Sequence, residues 1–205
     1  MKKMKTMRLC VNFPSMNKTI IAVSGYAQAG KDTFADALTD LLLPETNTCR
    51  YKMAESLREA VGSAFAALRI ERSAWTEIPE EKTLLRPLLV ELGKYARAYD
   101  EDVFVNVCAD LIEEEMLAYI QVALITDMRY HNEYLCLRAL AEKRGWRFLW
   151  VHIVREGSSP ANAEEEQSIA LLRTKETPHA CYQAGQGDTA ALKRCAKDFR
   201  NTFLL

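Results

Sequence analysis

Short apolar runs alternate along this chain with segments whose apolar residues recur at helical spacing. Lys18–Ser24 (KTIIAVS) is a continuous apolar run ending in GYAQAG, the pattern of a buried strand entering a tight turn. From Thr33 to Leu43, Phe34, Ala37, Leu38, Leu41 and Leu42 fall on one helical face, and Pro44 stops the helix. Thr48–Ala54 predicts a second strand. Glu55–Ile70 predicts a helix with Leu57, Val61, Phe65 and Leu68 on one side. Residues 71–82 are polar and aperiodic, a surface connection. Pro87 suits the first turn of a helix whose face continues through Leu88, Leu89, Leu92, Tyr95 and Ala96. Tyr99–Asp102 reads as a turn and cap, and Phe104, Val107, Cys108, Leu111 and Ile112 mark a helix to about Tyr119. Gln121–Thr126 is a buried strand closed by Asp127. Asn132–Arg144 reads as helix and Arg147–Val154 as strand. Residues 155–178, rich in Ser, Pro, Asn and Glu, predict a mobile flap. Ala180–Gln183 is a last short strand, and Asp188–Phe203 a final helix with Leu192, Cys195, Phe199 and Phe203 aligned.

Strands alternating with helices predict an α/β fold with a parallel sheet covered on both faces. The length of 205 residues fits one domain, taken as 18–205 after a loose basic leader over 1–17. Ligands in such sheets gather beyond the carboxyl ends of the strands. That singles out Gly25–Thr33, Ala54–Arg58, Asp127–Arg129 and Arg155.

Composition narrows the class. The 27 basic and 28 acidic residues leave a net charge of -1, which excludes a dedicated nucleic-acid or membrane-surface binder. No apolar run approaches the ~20 residues of a membrane span. The six cysteines include no C-x-x-C pair and the three histidines complete no zinc pattern, so the thiols read as free in a reducing compartment. The basic start MKKMKTMRLC is followed by residues too polar for an export signal, and the expected location is cytoplasmic. Trp75, Trp146 and Trp150 are assigned to packing, and the acidic run Glu164–Glu166 to a solvated face.

The most specific chemistry lies in Gly25–Thr33, GYAQAGKDT, which matches G-x-x-x-x-G-K. Its glycines let the backbone of Gly25, Ala27, Gln28, Ala29 and Gly30 curl so that N–H groups converge on phosphate oxygens. The following helix adds its positive end, and Lys31 places a cation where charge shifts during phosphoryl transfer. Asp32 stands after the lysine in place of Ser or Thr, and Thr33 follows. Either Thr33 or Asp32, the latter through water, is the candidate to hold magnesium.

Asp127 at a strand tip is a second candidate metal-positioning carboxylate, and Arg129 two positions later can grip a phosphate with a bidentate fork. Arg58, Arg86, Arg97 and Glu91 are candidates to line an acceptor pocket, and Arg155 to close on the donor.

GKDT, TDMRYHNE and HIVREG together resemble the bacteriophage deoxynucleoside monophosphate kinases, within the P-loop nucleoside monophosphate kinase group. The likeness runs from about residue 19 to the C-terminus, with gaps. Asp127, Arg129 and Glu133 match its D-x-R-x-x-x-E string, RPLLVELGKYAR resembles its acceptor-side helix with Glu91 where glutamine is common, and CYQAGQGDTAALKR resembles its last strand, glycine turn and helix. The resemblance implies a three-layer, five-stranded parallel sheet with an acceptor-binding insertion over about 55–100 and a lid over about 155–178. It implies ATP and Mg2+ at Lys31 and its loop, with transfer of the γ-phosphoryl group to a deoxynucleoside 5′-monophosphate. Arg129, with Arg58 and Arg86, would hold the acceptor phosphate. Its partners would be these small molecules, not nucleic acid or membrane. Whether two copies form a homodimer stays open. Other P-loop kinases with different acceptors, and a switch protein that binds nucleotide without transfer, are the alternatives.

Overall fold

The computed structural model describes residues 18–76 and 78–205; the leader expected over 1–17 lies outside them. The elements run β1 (Thr19–Ser24), α1 (Lys31–Leu42), β2 (Thr48–Tyr51), α2 (Ala54–Ala67), α3 (Pro79–Tyr99), α4 (Val103–Ala118), β3 (Val122–Ile125), α5 (His131–Arg144), β4 (Arg147–Arg155), α6 (Ala163–Lys175), β5 (Ala180–Ala184) and α7 (Thr189–Phe203). The five strands form one sheet in the order β2-β3-β1-β4-β5, every neighbouring pair parallel. β1 is central, pairing Ile21 with Leu124 on one side and Leu149 on the other.

Strand side chains alternate between faces, so an apolar strand buried on both sides feeds two cores. Ile20 and Ala22 of β1 join Ala123, Ile125 and Trp150 in a core covered by α4 and α5 residues such as Ile112, Met116 and Leu137. Ile21 and Val23 join Leu124, Leu149 and Val151 in a second core, covered by Phe34 and Leu38 of α1 and Phe199 of α7. The central strand is therefore held from both sides, and its carboxyl end is a rigid platform.

Three elements differ from the sequence reading. α3 begins at Pro79, so Pro87 sits inside the helix rather than in its first turn. The ring removes one helical N–H, but the preceding turns still gain apolar cover through Leu85 against Val61 and Ala74. β2 ends at Tyr51, two residues before α2 begins. Most of the 155–178 segment is helix α6, capped where the Asn162 side chain accepts the Glu165 amide at 2.8 Å. Ile169 and Leu172 of α6 are buried. Among the described residues no helix is long and apolar enough to cross a membrane.

Candidate active site

The β1–α1 loop is the best-defined cradle in the molecule. Gly25 has φ +141° and Gly30 φ +94°, conformations that L side chains rarely adopt. A Cβ at Gly25 would lie 2.2 Å from the Ile153 carbonyl oxygen, and one at Gly30 2.5 Å from Cδ1 of Leu192. Backbone angle calls for glycine at both positions, and close approach to a backbone carbonyl adds a second requirement at Gly25. Gln28, at φ 61°, takes the left-handed bend between them. Because the first-turn amides of α1 have no intrahelical acceptor, they point into the cradle together with the helix dipole.

Lys31 starts α1 and is only 8% exposed. Its Nζ donates to the carbonyl oxygens of Gly25 and Tyr26, each at 2.7 Å. Burial, reinforced by the Arg129 cation, lowers its pKa to about 8, against the opposing pull of Glu165, Asp32 and Asp127. The four groups that act on Lys31 come from α1, the β3 tip and α6, so tertiary packing gathers the expected catalytic trio of Lys31, Asp127 and Arg129.

Asp127 follows β3 and accepts the amides of Met53 at 2.9 Å and Ala54 at 3.3 Å, tying the strand tip to the start of α2. Burial raises its pKa, and those two amides oppose the rise. Glu133 performs a similar office on α5: its carboxylate accepts the amides of Arg129 at 2.7 Å and Tyr130 at 3.1 Å. Burial pushes its pKa up to about 7. The 127–130 segment carrying Arg129 is therefore pinned at both ends by a carboxylate.

Asp32 is exposed at the sheet's β2 side, where it pairs with Arg50 and, at 3.2 Å, with Lys52, and accepts Thr126 Oγ1 at 3.4 Å. Although burial works against it, the Lys52 and Arg50 cations hold its carboxyl below the ordinary value. Thr33 lies beside it in the first turn, half-buried. Among the described residues there is no cluster of three or more His, Cys, Asp or Glu able to hold a metal by itself. Asp32, Thr33 and Asp127 are hard oxygen donors around a phosphate cradle. They fit an ion such as Mg2+, which takes one or two protein ligands and completes its shell with water and substrate phosphate.

The other expected residues fall into two groups. Arg155 ends β4, with its Nε buried and without a hydrogen-bond partner among the described residues. Arg58, by contrast, donates to the Ala74 carbonyl at 2.7 Å and lies 5.9 Å over the Trp75 ring, holding the α2–α3 connection. Trp75 is itself 44% exposed. Arg86 and Glu91 are exposed on α3, and Glu91 pairs with Lys94 at 2.9 Å. Arg97 turns inward and stacks 4.9 Å over both Phe104 and Tyr130.

Two features escape a reading by linear motif. Under the loop, Trp150 Nε1 donates to Ser24 Oγ at 2.7 Å, and Ser24 Oγ lies 2.9 Å from His152 Nδ1. Burial, with Arg173 and Lys31, pushes His152 down to about 4, so it stays neutral. This chain crosses from β1 to β4 and fixes the residue before Gly25. The second feature corrects the solvated face assigned to Glu164–Glu166: Glu165 is 2% exposed and turned to the phosphate loop. Its signal was present in the sequence. Asn162-x-x-Glu165 is a helix-start pattern, and Glu165, Ser168, Ile169 and Leu172 share the buried face of the helix that follows.

No family model matches the chain, and no curated protein matches it. Solved structures do. A mutant of APS kinase from Mycobacterium tuberculosis aligns over 92% of this chain and 100% of its own, with a TM-score of 0.50 and 10% identity. The fold is that of the P-loop kinases. The Deinococcus radiodurans tunicamycin resistance protein (TM-score 0.48, 11% identity, 90% of this chain and 94% of its own) is also similar. So is Acinetobacter baumannii shikimate kinase in complex with shikimate (TM-score 0.44, 15% identity, 91% and 96%).

Proposed function

We propose that this protein is an ATP-dependent phosphotransferase, and that its acceptor is a deoxynucleoside 5′-monophosphate. The observation that carries the reading is the meeting of a glycine-built anion cradle and Lys31 with Asp127 and Arg129 on the neighbouring strand tip. Phosphoryl transfer needs in-line positioning and neutralisation of spread negative charge rather than covalent chemistry. The cradle amides and Lys31 would hold the donor phosphates, with Lys31 exchanging its two carbonyl partners for phosphate oxygen. Arg129, its backbone pinned by Glu133, would hold the acceptor phosphate or the group in transit. No side-chain base is required, because an acceptor phosphate is already an anion at neutral pH. Asp127, with Thr33 or Asp32, would hold Mg2+, whose chemistry here is to offset phosphate charge. Arg155, with its unpartnered Nε, would act at the donor side. The matched string at Asp127, Arg129 and Glu133 supports the nucleotide acceptor.

The test is an acceptor panel. With Mg·ATP, ADP release should rise well above the acceptor-free rate for at least one deoxynucleoside monophosphate in a set that includes the ribonucleotides, APS and shikimate. Turnover confined to APS, shikimate or another acceptor would keep the kinase and discard the nucleotide acceptor. ATP binding with no acceptor-dependent ADP would leave a switch protein.

A further inference from the structure

Glu165 stands where an anionic ligand of the loop would be expected. Its Oε1 accepts the amide of Ala27, in the middle of the phosphate loop, at 3.1 Å, and lies 3.3 Å from Nη1 of Arg129. Its Oε2 accepts the amide of Ala161 at 2.8 Å, just before α6. One carboxylate thus closes the first turn of α6 with one oxygen and joins α6 to both the cradle and the candidate catalytic arginine with the other. The side chain is almost wholly buried, and a carboxylate is stable there only because each oxygen is hydrogen-bonded and a guanidinium faces it.

A phosphate bound in the cradle would claim the same two donors, the Ala27 amide and Arg129. Two anions cannot share these donors without strong repulsion. We propose that Glu165 is a latch: as an internal anion it holds the Ala27 amide and Arg129, and donor phosphate expels it, freeing Arg129 and releasing the start of α6. The neighbouring contact moves with it, since Tyr130 donates its hydroxyl to Glu164 on the same turn. The device rests on the kinase reading, and it makes nucleotide binding the event that unlocks α6.

Glu165→Gln tests the latch, because the amide keeps an oxygen for the Ala161 amide while removing the charge that competes with phosphate. Titration with a non-hydrolysable ATP analogue should show binding roughly tenfold tighter than in the wild type, the scale of one charge-assisted hydrogen bond. Amide exchange in the wild type should speed up over 163–168 when the analogue is added. If Glu165→Gln folds poorly, Glu165→Asp, whose shorter arm withdraws the carboxylate, should show the same tightening. Unchanged or weaker analogue binding in the folded variants, or α6 amides equally protected with and without analogue, overturns the latch and leaves the kinase reading intact. A wild-type protein that binds no analogue overturns both.

Discussion

The β1–α1 side and the α2–α3 side of this molecule are built to different standards. α1 spans 12 residues and buries six of them, Lys31 included, against β1 and α7. α3 spans 21 residues and buries only Leu85 and Gly93. Around it Leu84 is 81% exposed and Tyr99 90% exposed, and α2 contributes Val61 as its one buried residue. The small cluster of Val61, Ala74 and Leu85, with Phe65, Leu89 and Leu92 packed against it, helps hold α2 to α3. The candidate catalytic Lys31 thus sits on a helix packed firmly against the sheet. The region expected to receive the acceptor is fastened by few contacts, and local opening is easiest where little apolar area is buried.

Substitutions test that contrast. Lys31→Ala should have the largest effect, lowering turnover about a thousandfold or more. The melting temperature should stay near that of the wild type, since the lysine's two carbonyl contacts are lost together with its buried charge. Unimpaired turnover would end the assignment. Gly25→Ala comes next: its Cβ meets the Ile153 carbonyl, a backbone atom of the rigid sheet that has nowhere to go. Strain and overpacking together should cost on the order of 3 kcal/mol in denaturant unfolding. A near-neutral result would mean that the donor side is not stiff.

Arg129→Ala should raise the acceptor KM roughly ten- to hundredfold while changing ATP affinity far less. Equal losses of both would remove it from the acceptor site. A pH series gives a smaller effect. Burial lowers the pKa of Lys31 to about 8. Bound phosphate would raise that value, so above pH 8 binding must take up a proton. ATP affinity should then fall as pH rises past 8, by at most about tenfold per unit. A flat profile to pH 9.5 would contradict the buried ammonium. The smallest effect belongs to the α2–α3 side. A Cβ at Gly62 in α2 would meet only Ala74 Cβ at 3.8 Å, an ordinary contact. Gly62→Ala should stabilise the protein by roughly 0.5–1 kcal/mol. Destabilisation would show that α2 and α3 are packed more tightly than this comparison holds.

Much of the site could be read along the chain because it is local. The nine residues from Gly25 to Thr33 carry their own turn, dipole and cation, and Asp127 and Arg129 follow directly from a buried strand. The acceptor-side residues were less legible. Arg58, Arg86 and Arg97 share one chemistry in the sequence. Packing sends Arg58 to a carbonyl of the α2–α3 connection, leaves Arg86 exposed and turns Arg97 onto two rings. At 155–178 the polar composition hid a helix, which Asn162 and the Glu165 face built. Pro87 misled for a related reason: a proline marks a helix start only where no neighbouring helix rewards continuation, and Leu85 finds that reward in Val61.

Local pattern was enough to reveal the alternation of strand and helix, the glycine turn before α1, and the carboxylate and arginine at a strand tip, since periodicity and glycine geometry act over a few residues. Long-range packing set β3 and β4 beside β1, brought Asp127 and Arg129 within electrostatic reach of Lys31, and carried Glu165 across from α6 to the loop. Strand order and long-range ion contacts depend on which apolar faces bury one another, a competition settled over the whole chain at once and written in no short segment of it.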